Sequence, residues 1–148
     1  WLLAFGCWPL ALGLALPATS CQPTAKGIEV QDFRNLEVWQ RAHAIALKVY
    51  EITRSFPREE QYGLTSQMRR AAASVPANIA EGCGRGGDAE FARFLTIASG
   101  SASELAYHLL LARDLRYLDE RAHEDISRGL AVLRRMITAL TKKVAKSQ

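Results

Sequence analysis

Residues 125–144 read DISRGLAVLRRMITALTKKV, and their apolar members follow one spacing rule. Ile126, Leu130, Leu133, Ile137, Leu140 and Val144 recur at alternating intervals of four and three residues. At about 3.6 residues per turn this places all of them on one stripe of a helix, with arginines and lysines around the rest. A helix of this kind is stable when its stripe is buried, so other segments must supply a matching surface. The rule recurs upstream. Phe91, Leu95, Ala98, Ala102, Leu105, Leu109 and Ala112 predict a helix opening at Asp88, which is placed as its N-cap after Gly86 and Gly87. Leu64, Met68, Ala71, Val75 and Ile79 predict a helix starting near Leu64. Leu36, Trp39, His43, Ala46, Tyr50 and Thr53, widened by Ala42, Leu47 and Val49, predict a first helix over 36–55. Asp32 or Asn35 would cap it and Pro57 would stop it, while Asp119 or Glu120 would open the last helix. On this reading His43 is a hydrogen-bonded core histidine. No segment of the domain alternates apolar and polar residues long enough for a strand. The predicted fold is all-α, an antiparallel up-down-up-down four-helix bundle over residues 32–148.

The bulk numbers suit that fold. The chain has 148 residues, 49% hydrophobic and 23% charged, which is enough apolar material for one core and too much for disorder. The net charge of +4 is unevenly spread. Between Asp88 and Asp125 acids outnumber bases, whereas residues 126–148 carry Arg128, Arg134, Arg135, Lys142, Lys143 and Lys146 and no acid. That segment is a cationic surface suited to nucleic acid, or else a solvated helix face. It contains no aromatic residue, so contact would be backbone-directed and sequence-tolerant rather than built on base stacking.

Residues 1–31 stand apart. WLLAFGCWPLALGLALPATSC (1–21) has no charge, and the first charged residue is Lys26. The run resembles the apolar part of a secretory signal, with a faint lipoprotein box ending at Cys21. It is short for a bilayer span and is interrupted by Pro9, Gly13 and Pro17. The expectation is an extension outside the domain, joined to a cytoplasmic bundle that does not enter a membrane. Cys7, Cys21 and Cys83 show no metal spacing or paired motif, which favours a reducing compartment.

The second helix carries a polar stripe beside its apolar one: Gln67, Arg70, Ser74, Asn78, Glu81 and Arg85. Pro76 removes the donor for the Ala72 carbonyl and predicts a kink, while Gly82 and Gly84 are expected to close the helix in left-handed geometry. Two readings of the stripe stand. In one it is a satisfied seam, with Glu81 buried against Arg70 or Arg85 and Asn78 bonded to backbone freed by the proline. In the other it faces a partner or ligand. The first predicts that losing Glu81 costs more stability than losing a surface acid such as Glu124.

The string from Phe33 to Arg85, FRNLEVWQRAHAIALKVYEITRSFPREEQYGLTSQMRRAAASVPANIAEGCGR, followed by EFARFLTIASGSASEL (90–105), closely resembles a known family. It is the four-helix-bundle family encoded by intervening sequences of bacterial 23S rRNA genes. The resemblance runs from Phe33 to Leu118, with a looser continuation to Lys143; its specific part is the string from Phe56 to Arg85, in which only Cys83 and Gly84 depart from the pattern. It implies a small cytoplasmic bundle that forms ring-like pentamers and has no established enzymatic activity. It also implies kinship with the accessory protein of diversity-generating retroelements, which binds a reverse transcriptase and nucleic acid. RNA or DNA, and a reverse transcriptase or other nucleic-acid enzyme, are therefore the partners the resemblance suggests.

Other chemistry finds little purchase. GCGRGG (82–87) precedes a helix but lacks the Lys-Ser/Thr of a P-loop and a preceding strand, so it reads as a connecting turn. His43, His108 and His123 are not spaced as metal ligands, and no cofactor is expected. Ala98, Ser99, Gly100, Ser101, Ala102 and Ser103 are small residues in mid-helix. They predict either tight packing inside the bundle, against Trp39 or Tyr50, or a subunit contact at Ser99, Gly100 and Ser103. Two function classes result: a non-catalytic oligomeric binding or accessory protein, and an enzyme or toxin-like effector that uses the polar stripe.

Overall fold

The helix signals become four helices in a computed structural model, which describes residues 32–146. A 3₁₀ turn at Phe33–Asn35 leads into α1 (Glu37–Ile52), and two further 3₁₀ turns, Thr53–Ser55 and Arg58–Glu60, carry the chain to α2 (Leu64–Gly84). α3 (Asp88–Asp114) and α4 (Glu120–Ala145) follow, and no strand occurs among the described residues. Short connections force sequential neighbours to run antiparallel. α2 packs on α3, α3 on α4, and α1 lies against both α2 and α4, so α1 and α3 are diagonal. The fold is the expected all-α four-helix bundle. The extension at 1–31, including Cys7 and Cys21, lies outside the described residues.

The local rules explain most boundaries. Asp119 accepts a hydrogen bond from the Ala122 amide and caps α4. Asp32 caps the first 3₁₀ turn, not α1, by accepting from the Arg34 amide; Leu36 precedes α1 with no side-chain cap. The Thr53 hydroxyl donates to the Val49 carbonyl, tightening the end of α1 before Pro57. Asp88 turns out to be the first helical residue of α3, with Gly87 in the cap position. It still places a carboxylate in the first turn, where the exposed amides favour negative charge.

Met68, Val75 and Ile79 of α2, Leu95, Leu105 and Leu109 of α3, and Ile126, Leu130, Leu133 and Ile137 of α4 form the centre of the core. On α1 the expectation is met at Ala42, Ala46, Val49 and Thr53 and fails, by a rotation, at His43, Leu47 and Tyr50. Val38, Ala42, Ala46 and Val49 enter the core, whereas His43 and Tyr50 are exposed and Trp39 is half-buried. The apolar arc of α1 is wider than one packing interface, and its small and β-branched side allows the closest approach to its neighbours. His43 is therefore no core histidine; its ring stacks on Trp39, with centroids 5.0 Å apart.

Two glycine assignments also change. Gly86, at φ 65°, is the left-handed glycine of the α2–α3 connection, while Gly82 and Gly84 remain within α2. Gly82 has a packing task. A Cβ there would lie 2.8 Å from Phe91 Cδ2 and 2.8 Å from Phe94 Cβ. Gly82→Val should cost about 1–3 kcal/mol in chemical unfolding because the phenylalanines must be displaced. Gly84→Ala, with open space around it, should cost nothing.

Candidate functional site

Pro76 sits in an unbroken, helical α2, so the local polar groups have to settle around it. Asn78 Nδ2 donates to the Ser74 carbonyl at 2.8 Å and contacts its hydroxyl at 3.0 Å. The carbonyl it serves is that of Ser74, not the one at Ala72 that the proline frees. Ser74 Oγ then meets Ser101 Oγ of α3 at 2.9 Å. Arg70 bridges to Glu104 of α3 at 2.7 Å and donates through Nε to Gln67 Oε1, while Arg85 pairs with Glu81 one turn away. The stripe is thus three local arrangements. Glu81 is exposed and not part of a buried pair, so Glu81→Ala should unfold at nearly the same temperature as Glu124→Ala. The partners Ser101 and Glu104 come from another helix, and no pattern within helix two points to them.

Elsewhere several cations have acidic partners, although Arg54, Arg58, Arg69, Arg116, Arg121 and Arg128 form no ion pair among the described residues. Arg41 meets Glu37, Lys48 meets Asp125 across α1 and α4, Arg93 meets Glu90, and Arg113 meets Asp114 and Glu120. The hydrogen bond from Lys48 holds the Asp125 carboxyl below the usual carboxylate range. Burial pushes the Cys83 thiol up, away from reactive thiolate. No cluster of histidine, cysteine or carboxylate side chains suited to a metal ion occurs among the described residues.

The C-terminal half of α4 breaks this habit. Arg134, Arg135 and Lys142 line an open groove of about 730 Å³ with Ser99 of α3, Ala131, Thr138 and Ala139. All three cations are exposed, and no carboxylate of the described residues forms an ion pair with them. The Thr138 hydroxyl donates to the Arg134 carbonyl, which ties down the groove's middle. The remaining expected cations lie elsewhere. Arg128 borders a mixed depression with Lys48, Arg121, Glu124 and Asp125. Lys143 borders an apolar depression with Leu36, Met136 and Leu140, and Lys146 caps the end of α4.

Two surfaces with exposed apolar side chains accompany the groove. Between α1 and α2, Trp39, His43, Leu47, Tyr50, Pro76 and Ala80 line a concavity of about 350 Å³. Leu47 is 59% exposed and Tyr50 44%, although Arg69 covers the Tyr50 ring at 5.2 Å. On the diagonal helix, Ile97, Tyr107 and Leu110 are exposed beside Gly100 and Ser103. Ala98 and Ala102 are fully buried, as tight packing inside the bundle predicts, but a Cβ at Gly100 would meet nothing within 4 Å, so packing within the bundle does not explain Gly100. Ser99 lies at the edge of this face and in the basic groove. No helix among the described residues is long and apolar enough to cross a membrane.

Residues 34–139 match the family described as 23S rRNA-intervening sequence protein. A crystal structure of a protein of unknown function, from the S23 ribosomal protein family of Bacteroides thetaiotaomicron, has the same fold. It aligns with a TM-score of 0.66 at 23% identity, covering 71% of this chain and 98% of that one. No curated protein matches the sequence.

Proposed function

Because the chain belongs to the 23S rRNA-intervening sequence protein family, we propose that it is a non-catalytic, self-associating bundle that binds nucleic acid along α4. The observation that carries this reading is the set of unpaired cations at Arg134, Arg135 and Lys142 in a protein that neutralises most of its other helical bases. Desolvating such a cluster is favourable only against a polyanion, and phosphate contacts release condensed counterions. Self-association is proposed to join the α1–α2 concavity of one copy to the outer face of α3 on the next. The two surfaces differ, one between α1 and α2 and the other on α3, so the contact is head-to-tail and closes into a ring when the rotation permits. Five subunits is the number the family resemblance implies, and such a ring would repeat the basic groove around its circumference.

The alternative, an enzyme or effector acting through the polar stripe of α2, loses ground because those side chains are engaged in separate local bonds. No nucleophile among them faces a base. A titration of fluorescent RNA and DNA at about 50 and about 200 mM salt, with light scattering for mass, tests the reading. Binding that weakens steeply with salt supports it. Absence of binding to both polymers at low salt overturns the nucleic-acid part, and a monomer mass at high concentration overturns the ring.

A further inference from the structure

This inference rests on the reading of the α4 groove as a nucleic-acid site and names the form of polymer it takes. We propose that the groove receives double-stranded nucleic acid, held by phosphates on the two sides of a duplex groove, in preference to a single strand. The cations are divided between two ends. Arg134 and Arg135 form one cluster and Lys142 the other, on a continuous helix. Seven or eight residues at about 1.5 Å rise separate them by roughly 10–12 Å along the axis. That is comparable with the roughly 12 Å width of a B-form major groove. Thr138 and Ala139 occupy the groove between them, small and uncharged, so they leave room for a groove edge.

A single strand gains less here. Proteins that hold single strands tightly combine a basic track with aromatic platforms for the bases. The groove has no aromatic lining, and α4 has no phenylalanine, tyrosine or tryptophan along its length. Guanidinium planes can stack on bases, but Arg134 and Arg135 are the groups needed for phosphate. Rigidity points the same way. The unbroken α4 fixes the separation of the two clusters, and a flexible strand would lose conformational freedom in matching it. A duplex arrives already stiff, with a persistence length near 50 nm and about one charge per 1.7 Å of axis.

Anisotropy competition with the full chain decides the matter, using blunt DNA duplexes of about 20 base pairs against their separated strands at about 50 mM salt, with an RNA duplex, whose deep groove is narrower, as comparison. The duplexes should compete at least about tenfold more strongly than either strand, with a salt slope of about −0.9 per phosphate contacted. Arg135→Ala and Lys142→Ala should each flatten that slope by about one contact without changing the helical circular dichroism. Equal or tighter binding of single strands overturns this proposal and leaves the polyanion reading intact. A slope unaffected by both variants overturns it as well, by moving the site off the groove. Failure to bind either form removes the underlying reading itself.

Discussion

Reversing the groove cations together, as Arg134→Glu, Arg135→Glu and Lys142→Glu, should abolish the proposed nucleic-acid binding and leave the helical fold intact. Charge-assisted hydrogen bonds contribute about 1.5–3 kcal/mol each, so losing three of them removes more than about 4 kcal/mol. That is roughly a thousandfold in affinity before the added repulsion of the new carboxylates is counted. The fold survives because the three side chains are exposed and hold no carboxylate of the described residues. The control is the same reversal at Arg121, Arg128 and Arg116, which lie outside the groove. Circular dichroism and anisotropy titration read the two sets together. Equal loss in both would mean that net charge alone drives binding.

Placing a charge in either apolar face should disperse the proposed oligomer. Leu47→Asp lies in the α1–α2 concavity and Tyr107→Asp on the outer face of α3, and both wild-type side chains are more than half exposed. Neither change therefore opens the core. Each should yield a monomer by light scattering, because an uncompensated carboxylate at the centre of an apolar contact must be desolvated. Mixing the two variants is the sharper measurement. In a head-to-tail contact the mixture retains one intact concavity and one intact α3 face, so it forms a one-to-one dimer and nothing larger. Gly100→Leu should weaken the same contact, since its open surroundings leave the monomer undisturbed. A mixture that stays monomeric, or single variants that keep the wild-type mass, would exclude this pairing of faces.

How much of this was legible in the chain depends on how one-sided each helix is. α4 is strongly amphipathic, and its stripe from Ile126 to Val144 faces the core as the spacing predicts. α1 is apolar over more of its circumference than one interface can bury. Periodicity alone could not tell whether Trp39, His43 and Tyr50 or Val38, Ala42 and Val49 would turn inward. Close packing chose the smaller set and left the aromatic one to line a surface concavity.

The candidate site divides along the same line. The cationic character of α4 is written in its composition, because every acid is missing after Asp125. Which cations work together is not. Arg134, Arg135 and Lys142 share a groove with Ser99, while Arg128, Lys143 and Lys146 are drawn into other surroundings. Likewise, the polar stripe of α2 was visible as spacing, but Arg70 and Ser74 find Glu104 and Ser101 only across the α2–α3 interface. Local helix formation and amphipathic pattern depend on residues three and four apart, and the sequence determines them by itself. The grooves, the cross-helix bonds and the task of Gly82 against Phe91 and Phe94 depend on how closely two surfaces distant in sequence approach, and that only the packed bundle decides.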